Sequence, residues 1–192
     1  MVRGDTREEL LDAAQALIQR VGANAMSYQD LSETVGIRKA SIHHHFPTKA
    51  DLLDALIDRY SDWFLGLLDR IDGSRADGAG KLRRLVDLFE GTLRADACEK
   101  ACPCGMLGAE IGTLAPDAAR RLRGFYRAVV QRIAGYLRQG AADGSLKVSG
   151  DATVVAWMLF SLLEGGMLVA RVEGGHERFR AMVRQFMKMA GA

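Results

Sequence analysis

A short basic segment, residues 38–50, carries side chains suited to binding a polyanion. It contains Arg38, Lys39, Lys49 and three histidines, and it contains no acidic residue. The first sixty residues as a whole hold more acids than bases, so overall charge does not identify a partner. A focused basic patch is nevertheless sufficient for contact with phosphates. The segment therefore predicts a surface that binds a phosphate backbone.

The three cysteines, Cys98, Cys102 and Cys104, form the second group of residues that could do chemistry, and all of them fall within seven positions. Structural disulfides are rare in cytosolic proteins, which leaves inert packing, a soft-metal site or a reactive thiol sensor. Cys98 and Cys102 are four apart and could share one helix face. Lys100 and the backbone N–H groups after Pro103 would favour a thiolate. Without a well-placed histidine, zinc binding is only weakly indicated.

Two short helical patterns meet at Gly36 and determine where the basic segment lies. Ser27 can cap the first helix, with Asp30 in its first turn and an apolar pair at Leu31 and Val35. Glycine tolerates the left-handed backbone in which helices often end, so we expect Gly36 to end this helix. The layout predicts a helix-turn-helix, whose second helix enters the major groove of DNA.

The second helix is expected to begin near Arg38 and to turn Ile42 and Phe46 toward the core. Thr48 is expected to cap the next helix, from whose N-terminus Lys49 projects. Free backbone N–H groups and a cation at that position favour a phosphate. The side chains expected to point outward are Arg38, Lys39, Ser41, His43 and His44.

Over about the first sixty residues, the chain resembles the N-terminal DNA-binding domain of the TetR family of transcriptional repressors. The matching positions are Ser27, Gly36, Ser41, Ile42, His45, Phe46 and Lys49, followed by Leu52 and Leu53. In one departure, His43 replaces a tyrosine that is frequent in the family; its charge, and so its contact with phosphate, would depend on pH. The resemblance implies DNA contacts at Ser27, Tyr28, Lys39, Ala40, Ser41, His43, His44 and Lys49, and the charge pattern adds Arg38.

The remaining sequence predicts an all-α fold of about nine helices, because helical spacing recurs and no segment shows sustained strand alternation. The first helix is expected to run from a capping box of Thr6 and Glu9 to Gly22. A long connecting helix follows over residues 48–71. Pro116 is expected to open another long helix.

Length and composition are consistent with two domains, since 192 residues with 48% hydrophobic content can bury a substantial core. We place a DNA-binding domain at residues 1–50 and a ligand-binding and dimerisation domain at 51–192. The charged N-terminus is unlike a signal peptide. The apolar stretch over residues 152–163 is expected to be too short for a membrane span, and Glu164 interrupts it. We therefore expect a cytoplasmic protein without a membrane partner.

Residues 152–172 are apolar on nearly every side, which one buried face cannot explain. A partner subunit is the simplest second cover, so we expect a homodimer. The family resemblance likewise implies that the last two helices of each subunit pair in a four-helix interface. The expected interface residues are Trp157, Phe160, Leu163, Gly166, Met167, Phe179, Val183 and Phe186. Two recognition helices related by a two-fold axis would then bind a palindromic operator.

The segment around the cysteines also resembles a motif in a TetR subgroup that responds to aldehydes, quinones and related electrophiles. In that motif a cysteine stands three positions before a glycine and eight before a glutamate, and Cys102, Gly105 and Glu110 fill these places. The resemblance implies a repressor released by an inducer that is sensed at Cys102. A soft-metal-responsive regulator using Cys98, Cys102 and Cys104 and a non-covalent sensor of hydrophobic ligands are the alternatives. The expected ligand-site residues are Cys102, Cys104, Phe89, Leu93, Met106, Phe125, Trp157 and Met158, with Glu110 as polar anchor.

An enzyme is the rival class of protein. The sequence has no G-x-S-x-G motif, and apart from His176 its histidines lie in the basic segment. A catalytic pair of a nucleophile and a histidine is therefore not indicated. The glycine-rich residues 73–81 carry Arg75 where a phosphate-binding loop needs glycine. We expect no catalysis and no cofactor. A helical scaffold that does not bind DNA is the second alternative.

Overall fold

The computed structural model describes residues 5–191, and within them it contains nine α-helices, one 3₁₀ helix and no strand. The all-α prediction is thus confirmed. The helices are α1 (Thr6–Ala25), α2 (Tyr28–Val35), α3 (Lys39–His45), α4 (Lys49–Asp72), α5 (Gly78–Ala95), α6 (Pro103–Ala109), the 3₁₀ helix Ile111–Thr113, α7 (Pro116–Asp143), α8 (Ala152–Glu173) and α9 (Glu177–Met189).

The chain divides into two compact units, and α4 and α7 contribute residues to both. The first unit comprises the residues up to Ser61 together with Pro103–Arg123; the second comprises Asp62–Cys102 and the residues from Gly124 onward. The boundary after residue 50, expected from the sequence, stays a prediction.

The first unit contains α1, α2, α3 and α6 together with the first turns of α4 and α7. In it, α1 packs on α6 and on α2, and α2 packs on α3. Its core is largely aliphatic, and the fully buried side chains include Leu10, Ile18, Leu31, Ile42, Phe46, Leu52 and Leu56.

Helix α1 begins and ends differently from the sequence-based expectation. Asp5, not Thr6, is its N-cap, and the Asp5 carboxylate accepts a hydrogen bond from the Arg7 amide. At Gly22 the backbone leaves the helical conformation, with φ 82° and ψ 168°, and one further turn continues to Ala25. The predicted capping box of Thr6 is therefore wrong. The predicted end of the helix at Gly22 is instead a kink within it.

The second unit has a core of contacting aromatic rings. Phe64 of α4 lies 5.8 Å from Phe89 and 5.6 Å from Phe125 between ring centroids, and Tyr126 lies 5.0 Å from Phe160. These rings meet edge to face, the arrangement that aromatic quadrupoles prefer. Helices α8 and α9 pack against each other and against α5. The ring cluster thus fills the interior between helices contributed by four segments of the unit.

Helix α8 continues through Glu164 to Glu173, so the expectation that its apolar stretch is too short to span a membrane was wrong. By length and composition it is the one helix among the described residues that could cross a bilayer. It packs on α5 and α9 instead. The contacts are those of a core helix.

Candidate nucleic-acid interface and effector site

The turn between α2 and α3 is held by local hydrogen bonds that the sequence predicts. Ser27 and Asp30 form a reciprocal capping box at the start of α2, in which each side chain accepts from the other residue's amide. Gly36 ends the helix in the left-handed conformation, with φ 74°, and its amide donates to the Ser32 carbonyl over 2.9 Å. A side chain at this position would be strained. The predicted roles of Ser27 and Gly36 are confirmed.

Helix α3 turns its apolar side chains inward and its polar side chains outward. Ile42 and Phe46 are buried, as predicted. The opposite face is solvent-exposed and contains Arg38, Lys39, Ala40, Ser41, His43 and His44. Arg38 is the N-cap and makes no side-chain capping bond. The cations and hydroxyl of this face are therefore available to a partner.

Two of the predicted contact residues make hydrogen bonds to backbone carbonyls, one at the end of α3 and one between α1 and α2. The Tyr28 hydroxyl donates to the Phe46 carbonyl over 2.9 Å, and Lys49 Nζ donates to the Met26 carbonyl over 2.7 Å. Burial, with the charge of Asp51, raises the pKa of Tyr28 to about 12, so its hydroxyl stays neutral. These bonds fix α3 between the starts of α2 and α4. Sequence reasoning missed this positioning role, because carbonyl partners have no sequence signature.

His43 lies beside Tyr28 and is oriented by a carbonyl as well. The two ring centroids are 4.8 Å apart, and His43 Nδ1 lies 3.1 Å from the Pro47 carbonyl oxygen. A carbonyl oxygen only accepts, so Nδ1 carries the hydrogen in this contact. His43 Nε2 can then donate to a phosphate only when the ring holds both protons.

Glu110 lies at the end of α1, where it bridges α6 to that helix. Its carboxylate accepts from the Ala23 amide over 2.7 Å and from the Asn24 amide over 3.1 and 3.2 Å. These amides are free because Gly22 has left the helical conformation. The sequence suggested Glu110 as the polar anchor of a ligand pocket. In the structure, both carboxylate oxygens instead accept hydrogen bonds from backbone amides of the first unit.

A second bridge joins the start of α7 to α4 within the first unit. The Arg121 guanidinium forms ion pairs with Asp58 and, over 3.7 Å, with Asp54. Burial raises the pKa of Asp54, which Arg121 partly opposes. With the Glu110 bridge, this contact fastens residues 103–123 to the N-terminal helices.

The cysteines lie in and after the connection between α5 and α6. Cys98 and Cys102 are outside any helix, so the predicted shared helix face is wrong; Ala97 and Cys98 have positive φ values of 47° and 65°, which reverse the chain at the end of α5. Cys104 is in the first turn of α6. All three are reduced and buried.

No metal-binding group is assembled in the part of the chain that the structure describes. Within residues 5–191, no three His, Cys, Asp or Glu side chains are arranged to hold an ion. Cys98, Cys102 and Cys104 therefore do not form a ready soft-metal site.

Glu164, in the middle of α8, is a candidate site residue that sequence reasoning missed. The residue as a whole is half-buried, but its carboxyl group is buried, and the Cys102 side chain lies close enough to affect its pKa. Burial raises the pKa of Glu164 well above its ordinary value. Its Oε1 is inaccessible to water and has no hydrogen-bond partner. An acid in the middle of a long apolar run was the available signal, and it was used only to argue against a membrane span.

The other predicted ligand-site residues are divided between the two units. Phe89, Leu93 and Phe125 are buried in the second unit, whereas Met106 belongs to α6 in the first. Trp157 and Met158 are exposed on α8, with 41% and 58% of their surface accessible. The last two are therefore better placed for a partner than for an enclosed pocket.

The predicted dimer face needs a similar correction. Six of the eight residues are buried within the subunit itself, namely Phe160, Leu163, Gly166, Met167, Phe179 and Val183. The sequence could not indicate which face of α8 would be exposed, because an all-round apolar helix has no periodicity from which to choose. The apolar side chains that α8 exposes are Val154, Trp157, Met158, Leu168, Val169 and Val172.

A helix-turn-helix with an exposed basic face, carried by an otherwise helical chain, defines a bacterial-type DNA-binding regulator. Residues 10–56 match the family of bacterial regulatory proteins of the tetR type, and residues 78–186 match the tetracyclin repressor-like C-terminal domain. The chain belongs to the TetR family of DNA-binding transcriptional regulators.

Individual relatives agree over nearly the whole chain. A TetR-family transcriptional regulator from Agrobacterium tumefaciens superposes with a TM-score of 0.91 at 33% identity, covering 96% of both chains. Transcriptional regulator AcuR of Cereibacter sphaeroides is 28% identical over 93% of this chain and 82% of its own length. The transcriptional repressor NemR of Escherichia coli is 25% identical over 90% of this chain and 87% of its own. These relatives are regulators, which agrees with the expectation of a non-enzyme.

Proposed function

We propose that this chain is a cytoplasmic repressor that binds a palindromic operator as a homodimer and releases it when a small molecule binds. The observation that carries the proposal is the exposed face of α3. Arg38, Lys39, Ser41 and His44 point away from buried Ile42, on a helix short enough to enter a major groove.

The DNA-binding test uses the intergenic DNA beside the protein's own gene and fluorescence anisotropy over a range of salt concentrations. Lys39→Ala removes an exposed cation without removing an internal bond, unlike Lys49→Ala, which also loses the Met26 contact. If Lys39 contacts a phosphate, the salt slope should fall by about 0.9; if it contacts a base, sequence preference should change. Lys188→Ala, an exposed lysine of α9, is the matched control. Equal binding by both variants and the parent would contradict the assignment of α3.

The exposed apolar side chains of α8 support the dimer. Val154, Met158, Leu168 and Val172 recur at spacings that place them along one face of the helix, and 87% of the surface of Val172 is accessible. An apolar face of this kind on a soluble protein marks an interaction surface. A second copy of the same helix covers it by two-fold symmetry.

Sedimentation velocity at micromolar concentration tests the dimer. Met158→Glu should shift the protein toward the monomer, because the new carboxylate would lose its hydration in the interface. Gln131→Glu adds the same charge to an exposed position of α7 and should leave the dimer intact. A monomeric parent protein would refute the proposal.

For the effector, we propose an electrophile sensed at Cys102. The motif of Cys102, Gly105 and Glu110 supports this, as does the contact between Cys102 and Glu164. The aromatic core of the second unit also suits a non-covalent apolar effector. The Cys102→Ser variant distinguishes these two kinds of effector. It should bind operator normally and should no longer be released by electrophiles, whereas a non-covalent effector should still release it.

A further inference from the structure

His43 is an exposed residue of α3 whose imidazole ring is held by the protein on one side. Its Nδ1 lies 3.1 Å from the Pro47 carbonyl oxygen, and its ring centroid lies 4.8 Å from that of Tyr28, with the planes inclined at 54°. A carbonyl oxygen only accepts, so the single hydrogen of the neutral ring is on Nδ1. The other nitrogen, Nε2, then carries a lone pair and no hydrogen.

His44, the next residue on the same exposed face, is not held in this way. Within residues 5–191, neither ring nitrogen of His44 has a hydrogen-bond partner, and the ring meets that of His45 edge to face at 5.5 Å. The neutral His44 ring can therefore carry its hydrogen on either nitrogen and donate it without gaining a charge.

The two histidines differ in what they require for contact with a DNA phosphate. Phosphate oxygens are negatively charged acceptors, so they are repelled by the lone pair on Nε2 of a neutral His43. They are bound by the imidazolium form, which has an N–H on both nitrogens and adds a positive charge. A phosphate that approaches Nε2 of His43 thus requires a proton that His44 does not need.

The charged and titratable groups around His43 do not fix its charge in the free protein. Lys39 lies one turn earlier on α3, and Tyr28 of α2 is neutral because burial raises its pKa to about 12. At the start of α4, the charge of Asp51 acts on Tyr28, and Lys49 directs its ammonium group to a carbonyl at the end of α1. None of these groups forms an ion pair with His43 in the part of the chain that the structure describes. An incoming phosphate is therefore the partner that favours the imidazolium form.

We propose that operator binding is coupled to the uptake of a proton at His43, so that the protein binds its operator more tightly as pH falls through the range in which imidazole gains its charge. In each subunit His43 takes a proton from water as Nε2 donates to a phosphate oxygen, and it releases that proton when the DNA leaves. The proposal rests on the proposed function, and it adds pH as a second signal beside the small-molecule effector.

The test measures the dissociation constant of the full-length protein and the intergenic DNA beside its own gene. Fluorescence anisotropy is recorded from about pH 5.5 to about pH 8.5 at constant ionic strength, a range that spans the titration of unperturbed imidazole. Above about pH 6.5 the dissociation constant should rise by up to about tenfold per pH unit for each His43 that contacts a phosphate.

The two ways in which this measurement could fail have different meanings. Equal affinity across the range would overturn the coupling, because it would show that the His43 ring leaves the Pro47 carbonyl and donates while neutral. Absence of binding at every pH would instead refute the proposed function as well.

His43→Gln and His44→Gln form a matched pair, since both side chains are exposed and neither substitution removes core packing. A glutamine amide donates at any pH. His43→Gln should bind more weakly than the parent at about pH 6 and at least as tightly at about pH 8, because the repelling lone pair is gone. His44→Gln should keep most of the pH dependence of the parent. Loss of the dependence in His44→Gln, with retention in His43→Gln, would contradict the assignment.

His43→Tyr checks the result with a donor of different shape. A phenol hydroxyl keeps its hydrogen until about pH 10, so this variant should also lose the pH dependence. A dependence that survives in both His43→Gln and His43→Tyr would refute the role of His43.

Titration calorimetry at about pH 7.5 counts the protons directly, because the heat of binding differs between HEPES and Tris by the ionisation enthalpy of the buffer for each proton taken up. The parent should take up as much as about one proton more per subunit than His43→Gln. Equal uptake by the two proteins would overturn the proposal.

Discussion

Two glutamates that follow the cysteine cluster have opposite surroundings. Glu110, at the end of α6, receives hydrogen bonds from two backbone amides of α1. Glu164, in the interior of α8, has one oxygen without any donor. Sequence reasoning selected Glu110 as the ligand-binding acid and passed over Glu164.

The contrast separates an acid whose contacts stabilise the fold from an acid whose burial costs stability. An ionised carboxylate with charge-assisted hydrogen bonds contributes to stability, whereas a buried group without a partner costs stability. Glu110 should therefore raise the unfolding free energy, and Glu164 should lower it.

The largest effect is expected from Gly22→Ala, beside Glu110. The backbone conformation there is one that only glycine adopts readily, and a Cβ would lie 2.4 Å from Glu110 Oε1. We expect a loss of about 3 kcal/mol in unfolding free energy, from backbone strain and displacement of the carboxylate. Urea denaturation at fixed protein concentration measures it.

Gly36→Ala is the matched control, because Gly36 also has a positive φ but a Cβ there would meet no atom within 4 Å. It should cost only the backbone strain, about 1 kcal/mol. Equal losses at the two glycines would show that Glu110 does not occupy the end of α1.

Glu110→Ala should lower the unfolding free energy by about 2 kcal/mol, through loss of the bonds from Ala23 and Asn24. Combined with Gly22→Ala it should cost less than the sum of the two changes, because the clash disappears with the carboxylate. Calorimetry or urea denaturation of the four proteins completes the cycle. Additive losses would contradict the bridge.

Most of the helix-turn-helix could be predicted because its signals are local. Ser27 caps, Gly36 ends a helix, and Ile42 and Phe46 recur at helical spacing, so neighbouring residues determine each feature. The long helices α4 and α7 were predictable for the same reason, from periodic apolar positions and from Pro116.

The errors concern contacts between residues distant in sequence. Glu110 meets an amide 87 positions away, and Cys102 meets Glu164 across two further helices. Neither contact leaves a spacing in the sequence. The exposed face of α8 could not be predicted for a different reason. Its apolar residues surround the helix, and only packing on α5 and α9 decides which of them remain exposed.

Glu164→Leu should stabilise the fold by about 1 kcal/mol near neutral pH, because it replaces an unsatisfied buried acid with an apolar side chain of similar size. A stabilised variant would sharpen the contrast with Glu110, whose removal should destabilise. A destabilised Glu164→Leu would place Glu164 among the structural acids.

The smallest expected effect is the dependence of that gain on pH. The pKa of Glu164 in the folded protein is raised above its ordinary value of 4.5, so between the two values the folded chain holds a proton that the unfolded chain has released. The unfolding free energy of the parent therefore falls as pH rises through this window. The advantage of Glu164→Leu should shrink as pH falls to 4.5, where only the cost of the unsatisfied oxygen remains.

Asp143 provides the opposite sign, because hydrogen bonds from Ser145 and Gly78 lower its pKa to about 2. The loss caused by Asp143→Asn should accordingly be full above pH 3.8 and vanish as pH falls toward 2. Urea titrations of the three proteins across this range measure both slopes, and a Glu164 slope with the sign of Asp143 would mean that its carboxyl has a partner after all.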